Sequence, residues 1–273
     1  MKNEIEILVT IDENYIQPLK VMLYSLYVHH RRENVKIWLI HEKISTKKIA
    51  ILNKLITKFG WSFEAIKMKD DFFEEAPTVE RYPKEMYFRL LCGNILPEHV
   101  KRVIYLDPDI LVINSLLPLW NVELEGNLLA AATHTGVTNI TTGINNIRLN
   151  TDHHYYNSGV MVIDLDEARE RVNIQDIQET IEKYASYLLL PDQDVLNHLY
   201  GHYIKEIPDE IWNYDARKYL SYLTKSVGKY DLHWLMEHTA ILHFCGKPKP
   251  WQIKSDTKFT ALYLDYAHRL EHF

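Results

Sequence analysis

The sequence predicts an α/β fold in which a parallel, wound sheet is flanked by helices. Three observations carry that expectation. The first 66 residues alternate β-branched apolar runs with stretches of helical periodicity, strand, helix, strand, helix, strand. The run Val103-Ile104-Tyr105-Leu106 then stops abruptly at two acids, as a buried strand does at the carboxyl edge of such a sheet. Finally, 273 residues with 47% hydrophobic and 25% charged side chains suit a soluble globular chain with a sizeable core.

Taken in order, residues 4–11 read as a strand. A helix follows with Leu19, Met22, Leu23 and Leu26 on one face, and Pro18 is tolerable in its first turn. Val35 to Ile40 is a second strand. Ser45 is placed to cap a helix whose face is Ile49, Leu52, Ile56 and Phe59, stopped by Gly60. Trp61 to Ile66 gives a third strand, and the acidic, proline-containing stretch 67–83 reads as a loop. A short helix near Tyr87 to Leu91 precedes the strand that ends at Asp107. Leu128 to Thr133 and Gly159 to Ile163 are further strands, separated by an irregular segment, 134–156, of the length usual for a functional loop. Helices are expected at 173–187, 192–199 and, as an amphipathic C-terminal element, within 256–273. The expected organisation is one catalytic domain, 1–255, with that last helix packed on or beside it.

Composition removes several functions. A net charge of -6 argues against nucleic acid, whose phosphates are held by clustered Lys and Arg. Only Cys92 and Cys245 occur, too few for a disulfide framework, and both are expected to pack as small hydrophobes. Met1 to Glu6 lacks a signal-peptide core, and no run approaches the roughly 20 apolar residues of a membrane span. The tail from Lys254 to Phe273 balances its charges, so electrostatic membrane docking is not supported. A cytoplasmic protein is expected.

Sixteen aspartates would supply roughly one Asp-x-Asp pair by chance, yet there are three, so position must decide among them. Asp166 of Asp164/Asp166 reads as a helix N-cap, and Asp192/Asp194 opens a helix whose dipole favours acids. Asp107/Asp109 is neither, because Pro108 disfavours helix and Ile110-Leu111-Val112 continues extended. Two oxygen donors so close invite a divalent cation, and a cation invites a phosphate; a turn-forming role is the alternative.

The segment Tyr105-Leu106-Asp107-Pro108-Asp109-Ile110-Leu111-Val112 resembles the Asp-x-Asp region of family 8 retaining glycosyltransferases. That group includes bacterial lipopolysaccharide galactosyl- and glucosyltransferases and is related to glycogenin. The likeness extends, in family order, through Thr10 to Tyr15, Tyr87 to Leu90, Tyr156 to Met161, Asp192 to Asn197 and His243 to Trp251. It implies a GT-A type nucleotide-diphospho-sugar transferase fold, Rossmann-like, with a mixed sheet flanked by helices. It also implies a metal, a UDP-sugar donor, and a carbohydrate or glycolipid acceptor.

By that resemblance Asp107, Asp109 and His243 are the metal ligands, a set that suits Mn²⁺, with Mg²⁺ as the alternative. Gly246 would let backbone approach a phosphate and Lys249 would neutralise it, whereas Lys247 reads as solvated surface charge. Thr10, Asp12, Asn14, Tyr15 and Pro108 resemble the nucleotide pocket; capping of the first helix is the alternative for Asp12 and Asn14. Arg89, Asn157, Ser158, Gly159, Asp192 and Gln193 match positions that hold the donor sugar, with packing the alternative for Asn157. Of these, Asp192 and Gln193 are the catalytic candidates.

His134 departs from the family, standing where many relatives carry an acid, so glucose and galactose are not separated. The acceptor is expected at the 134–156 loop and the 209–235 region. There Trp212, Tyr214, Tyr219, Tyr222 and Trp234 either stack on sugars or belong to the core. The expected reaction is metal-dependent hexosyl transfer with retention; a nucleotide-sugar hydrolase using the same metal site is the alternative.

Overall fold

A computed structural model of the chain describes residues 4–68, 85–133, 145–184, 187–255 and 257–273. The expected loop 67–83 therefore falls almost wholly outside the described residues, as do His134 and the first part of the expected acceptor loop. The opening alternation forms as read: β1 (Ile5–Thr10), helix Ile16–His29, β2 (Val35–His41), helix Thr46–Lys58 and β3 (Ser62–Lys67). β1 pairs parallel with β2, and β2 with β3. Gly60, at φ +79°, ends the second helix in the left-handed region that favours glycine. Ser45 holds the N-cap position without a side-chain cap bond; instead its backbone N–H donates to Glu13 Oε1 at 2.9 Å.

Among the described residues, seven more strands follow: β4 (Arg102–Leu106), β6 (Leu129–Thr133), β7 (Tyr156–Asp164) and β8 (Ile204–Ile207) in the main sheet, and β5 (Ile110–Val112), β9 (Tyr214–Asp215) and β10 (Ile241–His243) outside it. Among the described residues the main sheet runs β3-β2-β1-β4-β7-β6-β8. Alternating side chains split the core between its two faces. Ile5, Ile7 and Val9 of β1 join Ile104, Leu106, Val160 and Val162 on one side, against helix Ile16–His29. Leu8, Val103, Tyr105, Met161 and Ile163 face the other.

The sheet is not parallel throughout. β7 runs antiparallel to both β4 and β6, with Leu106 opposite Val160 and Arg102 opposite Asp164. It also starts three residues before the expected strand. Because the strand is reversed, its first residues, Tyr156 to Gly159, lie beside the carboxyl end of β4. A small second sheet, β5-β10-β9, sits under that edge, and its antiparallel β5–β10 pairing sets His243 opposite Ile110.

Helices Ile174–Tyr184, Pro191–Tyr200 and Thr260–Glu271 replace the expected 173–187, 192–199 and C-terminal elements. The last of these packs on helix Ile16–His29, with Tyr266 Oη 3.0 Å from His29 Nε2. The cap of helix Leu165–Arg171 is Asp164, not Asp166. Its Oδ1 accepts from the N–H groups of Asp166 and Glu167 at 3.0 and 3.1 Å, which frees Asp166 to pair with Lys101 and Arg169. Tyr214 and Tyr222 stack on each other at 4.1 Å inside the core, and Trp234 stacks on Tyr230 at 4.1 Å. Tyr214 and Tyr222 are therefore closed to a sugar. Cys92 is buried, where loss of solvation pushes its thiol up to about 12, whereas Cys245 is only half-buried. Among the described residues no helix is long and apolar enough to cross a membrane.

Candidate functional site

Three strand ends meet at one point. Asp107 and Asp109 flank Pro108 just past β4, Gly159 lies on β7, and His243 ends β10. Asp107 N–H donates to the Gly159 carbonyl at 2.8 Å and Phe244 N–H to the Asp109 carbonyl at 3.0 Å, so backbone bonds hold the three segments together. His243 Nε2 lies 3.3 Å from Asp109 Oδ1 and 3.9 Å from Asp107 Oδ2. One ligand atom from each of the three lies within 4.8 Å of the others, a spacing that fits a single cation. Gly159 is what leaves the room. A Cβ there would come 2.4 Å from His243 Cε1 and 2.7 Å from Asp107 Oδ2, closer than any side chain tolerates.

Opposite charges are packed tightly at this centre. Burial should raise the Asp109 carboxyl, but His243 and Lys249 overcome it and hold the group well below its ordinary range. Burial likewise disfavours charge on His243, yet the Cys245 sulfur and Asp109 keep its imidazole well above the usual value. Lys249 Nζ donates to Asp109 Oδ2 and to the Phe244 carbonyl. A cation already leans on the acid, delivered by the loop after β10. Gly246 in that loop has φ +71° and passes close against the Arg217 guanidinium, while Lys247 is exposed as expected.

Arg89 ties the metal candidates to the sugar candidates. Its Nη1 lies 3.0 Å from Asp107 Oδ1 and 3.3 Å from Asp192 Oδ2, and donates to the Ser158 carbonyl at 3.2 Å. Ser158 Oγ donates to Asp192 at 3.3 Å. Burial raises the Asp192 carboxyl, with Arg89 opposing the shift. Gln193 Oε1 accepts from Asn157 Nδ2 at 3.1 Å and from Ser158 N–H at 3.4 Å. Its Nε2 is buried and, beyond an interaction with the Tyr155 hydroxyl, has no hydrogen-bond partner among the described residues, an under-used donor of the kind that marks a ligand site.

The nucleotide candidates line the neighbouring β1 edge. Asp12 accepts from Asn14 N–H at 2.7 Å and from its Nδ2 at 3.2 Å, so it caps the 3₁₀ turn Glu13–Tyr15 while remaining exposed. Tyr15 is half-buried, its ring edge-on to Trp251 at 6.1 Å. Thr10 Oγ1 sits 3.2 Å from Tyr105 Oη, which donates to Asp107 Oδ1 at 2.7 Å. Tyr105 was passed over as one more aromatic of a buried strand, though its hydroxyl orients a candidate ligand. Asn213, which no motif marks, accepts the His243 Nδ1 proton at 2.7 Å from between the aromatics Trp212 and Tyr214.

Comparison with known proteins gives this geometry a context. Residues 6–255 match the profile of glycosyl transferase family 8. The chain is 28% identical over 262 residues to general stress protein A of Bacillus subtilis strain 168, covering 93% of this chain and 90% of that protein. It is 24% identical over 249 residues to a lipopolysaccharide 1,2-glucosyltransferase of Escherichia coli, covering 88% of this chain and 71% of that protein. Its fold is similar to that of the galactosyltransferase LgtC, solved with donor and acceptor sugar analogues. The TM-score is 0.79 at 22% identity, over 97% of this chain and 96% of that one.

Proposed function

The chain belongs to glycosyl transferase family 8, and from that premise we propose that it is a metal-dependent, retaining hexosyltransferase. On this reading it moves glucose or galactose from a UDP-sugar to a hydroxyl of a glycan or glycolipid. The observation that carries the reading is the convergence of Asp107, Asp109 and His243 beside the cleared space at Gly159, next to the under-used amide of Gln193. The glucosyl- and galactosyltransferase names among its relatives support the choice of hexoses. Free thiols at Cys92 and Cys245 favour a reducing, cytoplasmic setting.

Two carboxylates and an imidazole suit Mn²⁺ better than Mg²⁺, which prefers all-oxygen shells. Bound there, Mn²⁺ supplies Lewis-acid stabilisation to the leaving diphosphate. Lys249 exchanges its contact with Asp109 for a phosphate oxygen, and Gly246 lets the loop backbone come close to that phosphate. Thr10, Asp12, Asn14, Tyr15 and Pro108 take the nucleoside, with the Tyr15 ring against the base.

Arg89, Ser158 and Asp192 hold the sugar hydroxyls. Asn157 and the Ser158 N–H occupy the carbonyl oxygen of Gln193, which leaves its buried N–H groups as the donors for the sugar. Such an amide positions substrate and does not attack it. Asp192 is engaged by Arg89 and Ser158, and burial favours its neutral form, which weakens it as a covalent nucleophile. We therefore favour attack by the acceptor hydroxyl from the face the diphosphate leaves, its proton passing to the leaving phosphate.

Thermal-shift screening with Mn²⁺ and UDP-glucose, UDP-galactose and their N-acetyl forms tests the donor. One sugar nucleotide at about 100 times its Kd should add about 2.7 kcal/mol of stability. No UDP-dependent shift with any of them would overturn the reading. Sugar release that ignores added acceptors would instead identify a hydrolase.

A further inference from the structure

Behind the acid–imidazole centre runs a chain of side-chain amides, and that chain has a direction. Gly159 N–H can only donate, and it meets Asn157 Oδ1 at 2.8 Å. The other end of that amide is then a donor, to Gln193 Oε1 at 3.1 Å, which also takes the Ser158 N–H at 3.4 Å. Asn213 Nδ2 donates to the same Asn157 Oδ1 at 2.8 Å. Asn213 Oδ1 is thereby turned to His243 Nδ1 at 2.7 Å and accepts its proton. Two backbone amides thus set the polarity of four side chains. All four are at least nine-tenths buried, so none can turn to water for a partner.

We propose that Asn213 is a positioning residue. It holds the His243 ring so that Nε2 faces Asp107 and Asp109, and through Asn157 it fixes which end of the Gln193 amide accepts and which donates. The cation ligand and the sugar-facing amide are thereby oriented by one buried side chain on the turn before β9. The proposal rests on the transferase reading above, and its test separates the two. Outer partners of a ligating histidine fix its ring and tune its affinity, and losing one weakens metal binding by about 10- to 100-fold.

Two substitutions split the role. Asn213→Leu keeps the volume and removes both bonds. Asn213→Asp keeps an acceptor toward His243 but loses the donor toward Asn157. On nucleotide-free protein, Mn²⁺ affinity by electron paramagnetic resonance should fall about 10- to 100-fold in Asn213→Leu and stay near wild type in Asn213→Asp. In Asn213→Asp the donor KM should rise about tenfold, the worth of one misdirected hydrogen bond.

A third measurement needs no metal. Imidazole ¹H–¹⁵N spectra should show a protected His243 Nδ1–H in the wild type and Asn213→Asp, lost in Asn213→Leu. Unchanged Mn²⁺ affinity in folded Asn213→Leu overturns the proposal, and so does a wild-type spectrum without that proton. If Asn213→Leu does not fold, Asn213→Asp decides: an unmoved KM, or Mn²⁺ affinity lost along with it, refutes the role. Wild-type protein that takes up no Mn²⁺ but keeps the protected proton would refute the metal reading and leave the positioning role standing.

Discussion

Two buried aspartate sites, Asp194 and the Asp107–Asp109 pair, lie in Asp-x-Asp segments and differ in how their oxygens are spent. Asp194 is fully buried and takes two bonds from Arg148 at 2.7 Å, one from Tyr155 Oη at 2.5 Å, and the N–H groups of Leu189 and Leu190 at 2.7 and 3.0 Å. A carboxylate offers about four lone-pair positions, so nothing remains for a ligand. Among the described residues the oxygens of Asp109 meet only His243 and Lys249, and Asp107 Oδ2 has only a distant histidine, beside a glycine that keeps the space clear. Saturation by backbone and a fixed arginine marks an acid that holds the fold. Mobile or ligand-like partners mark one that is available for chemistry.

Exchanging the insults should break the comparison if it is wrong. Asp109→Ala should abolish Mn²⁺-dependent transfer with the fold intact by circular dichroism, because His243 keeps its bond to Asn213 and Lys249 its bond to the Phe244 carbonyl. Full activity in that variant would sink the metal site. Asp194→Ala should do the reverse, costing about 3–5 kcal/mol in urea unfolding, because it removes the acid that the partly buried Arg148, Tyr155 and two backbone amides all share. Turnover per folded molecule should survive. A loss of turnover in fully folded Asp194→Ala would move that acid into the site.

The sequence made the contents of both regions legible but not their assignment. Apolar periodicity locates β1 to β4 and the helices between them, because β1, β2 and β4 are almost wholly buried and the edge strand β3 follows the clear stop at Gly60. It carries no sign of direction, so the reversal of β7 is not legible in it, and the strand read over Gly159 to Ile163 stops short of Asn157 and Ser158. A strand of two residues, such as β9, is too short for a period to register. Asp107, Asp109 and His243 stood out through their motifs. Asn213 and Tyr105 did not, because a residue that acts through its neighbour's hydrogen bond has no pattern of its own. The capping error at Asp164/Asp166 is of the same kind: either residue could cap, and only the exit angle of β7 selects the first.

A smaller effect sharpens the contrast between cleared space and backbone need. Gly159→Ala adds a methyl that collides with His243 and Asp107 at a position where the backbone is ordinary strand. Overpacking of this kind costs about 1–3 kcal/mol, and here it should also weaken Mn²⁺ binding. Gly60→Ala meets open space and pays only for its left-handed φ, about 1–2 kcal/mol, with Mn²⁺ affinity unchanged. Calorimetric melting with Mn²⁺ titration separates the two, and equal metal affinity in both variants would mean that Gly159 clears nothing.

The finest distinction lies within one helix, between Asp192 and Asp194. Burial raises the Asp192 carboxyl above its ordinary 3.8, whereas Arg148 and Tyr155 overcome burial and pull Asp194 below 3.8. Linkage then gives opposite signs. The contribution of Asp194 is fully present above 3.8 and is lost as pH falls through its lower folded value. The contribution of Asp192 is fully present below 3.8 and is lost as pH rises through its higher folded value. Asn replacement removes each slope in turn. The stability deficit of Asp194→Asn relative to wild type should therefore shrink on acidification, and that of Asp192→Asn should shrink as pH rises. Urea unfolding of the three proteins between about pH 3.5 and 7 reads both slopes. If the two differences ran the same way, Asp192 would be a second structural acid like its neighbour, and its place on the sugar side of the site would have to be given up.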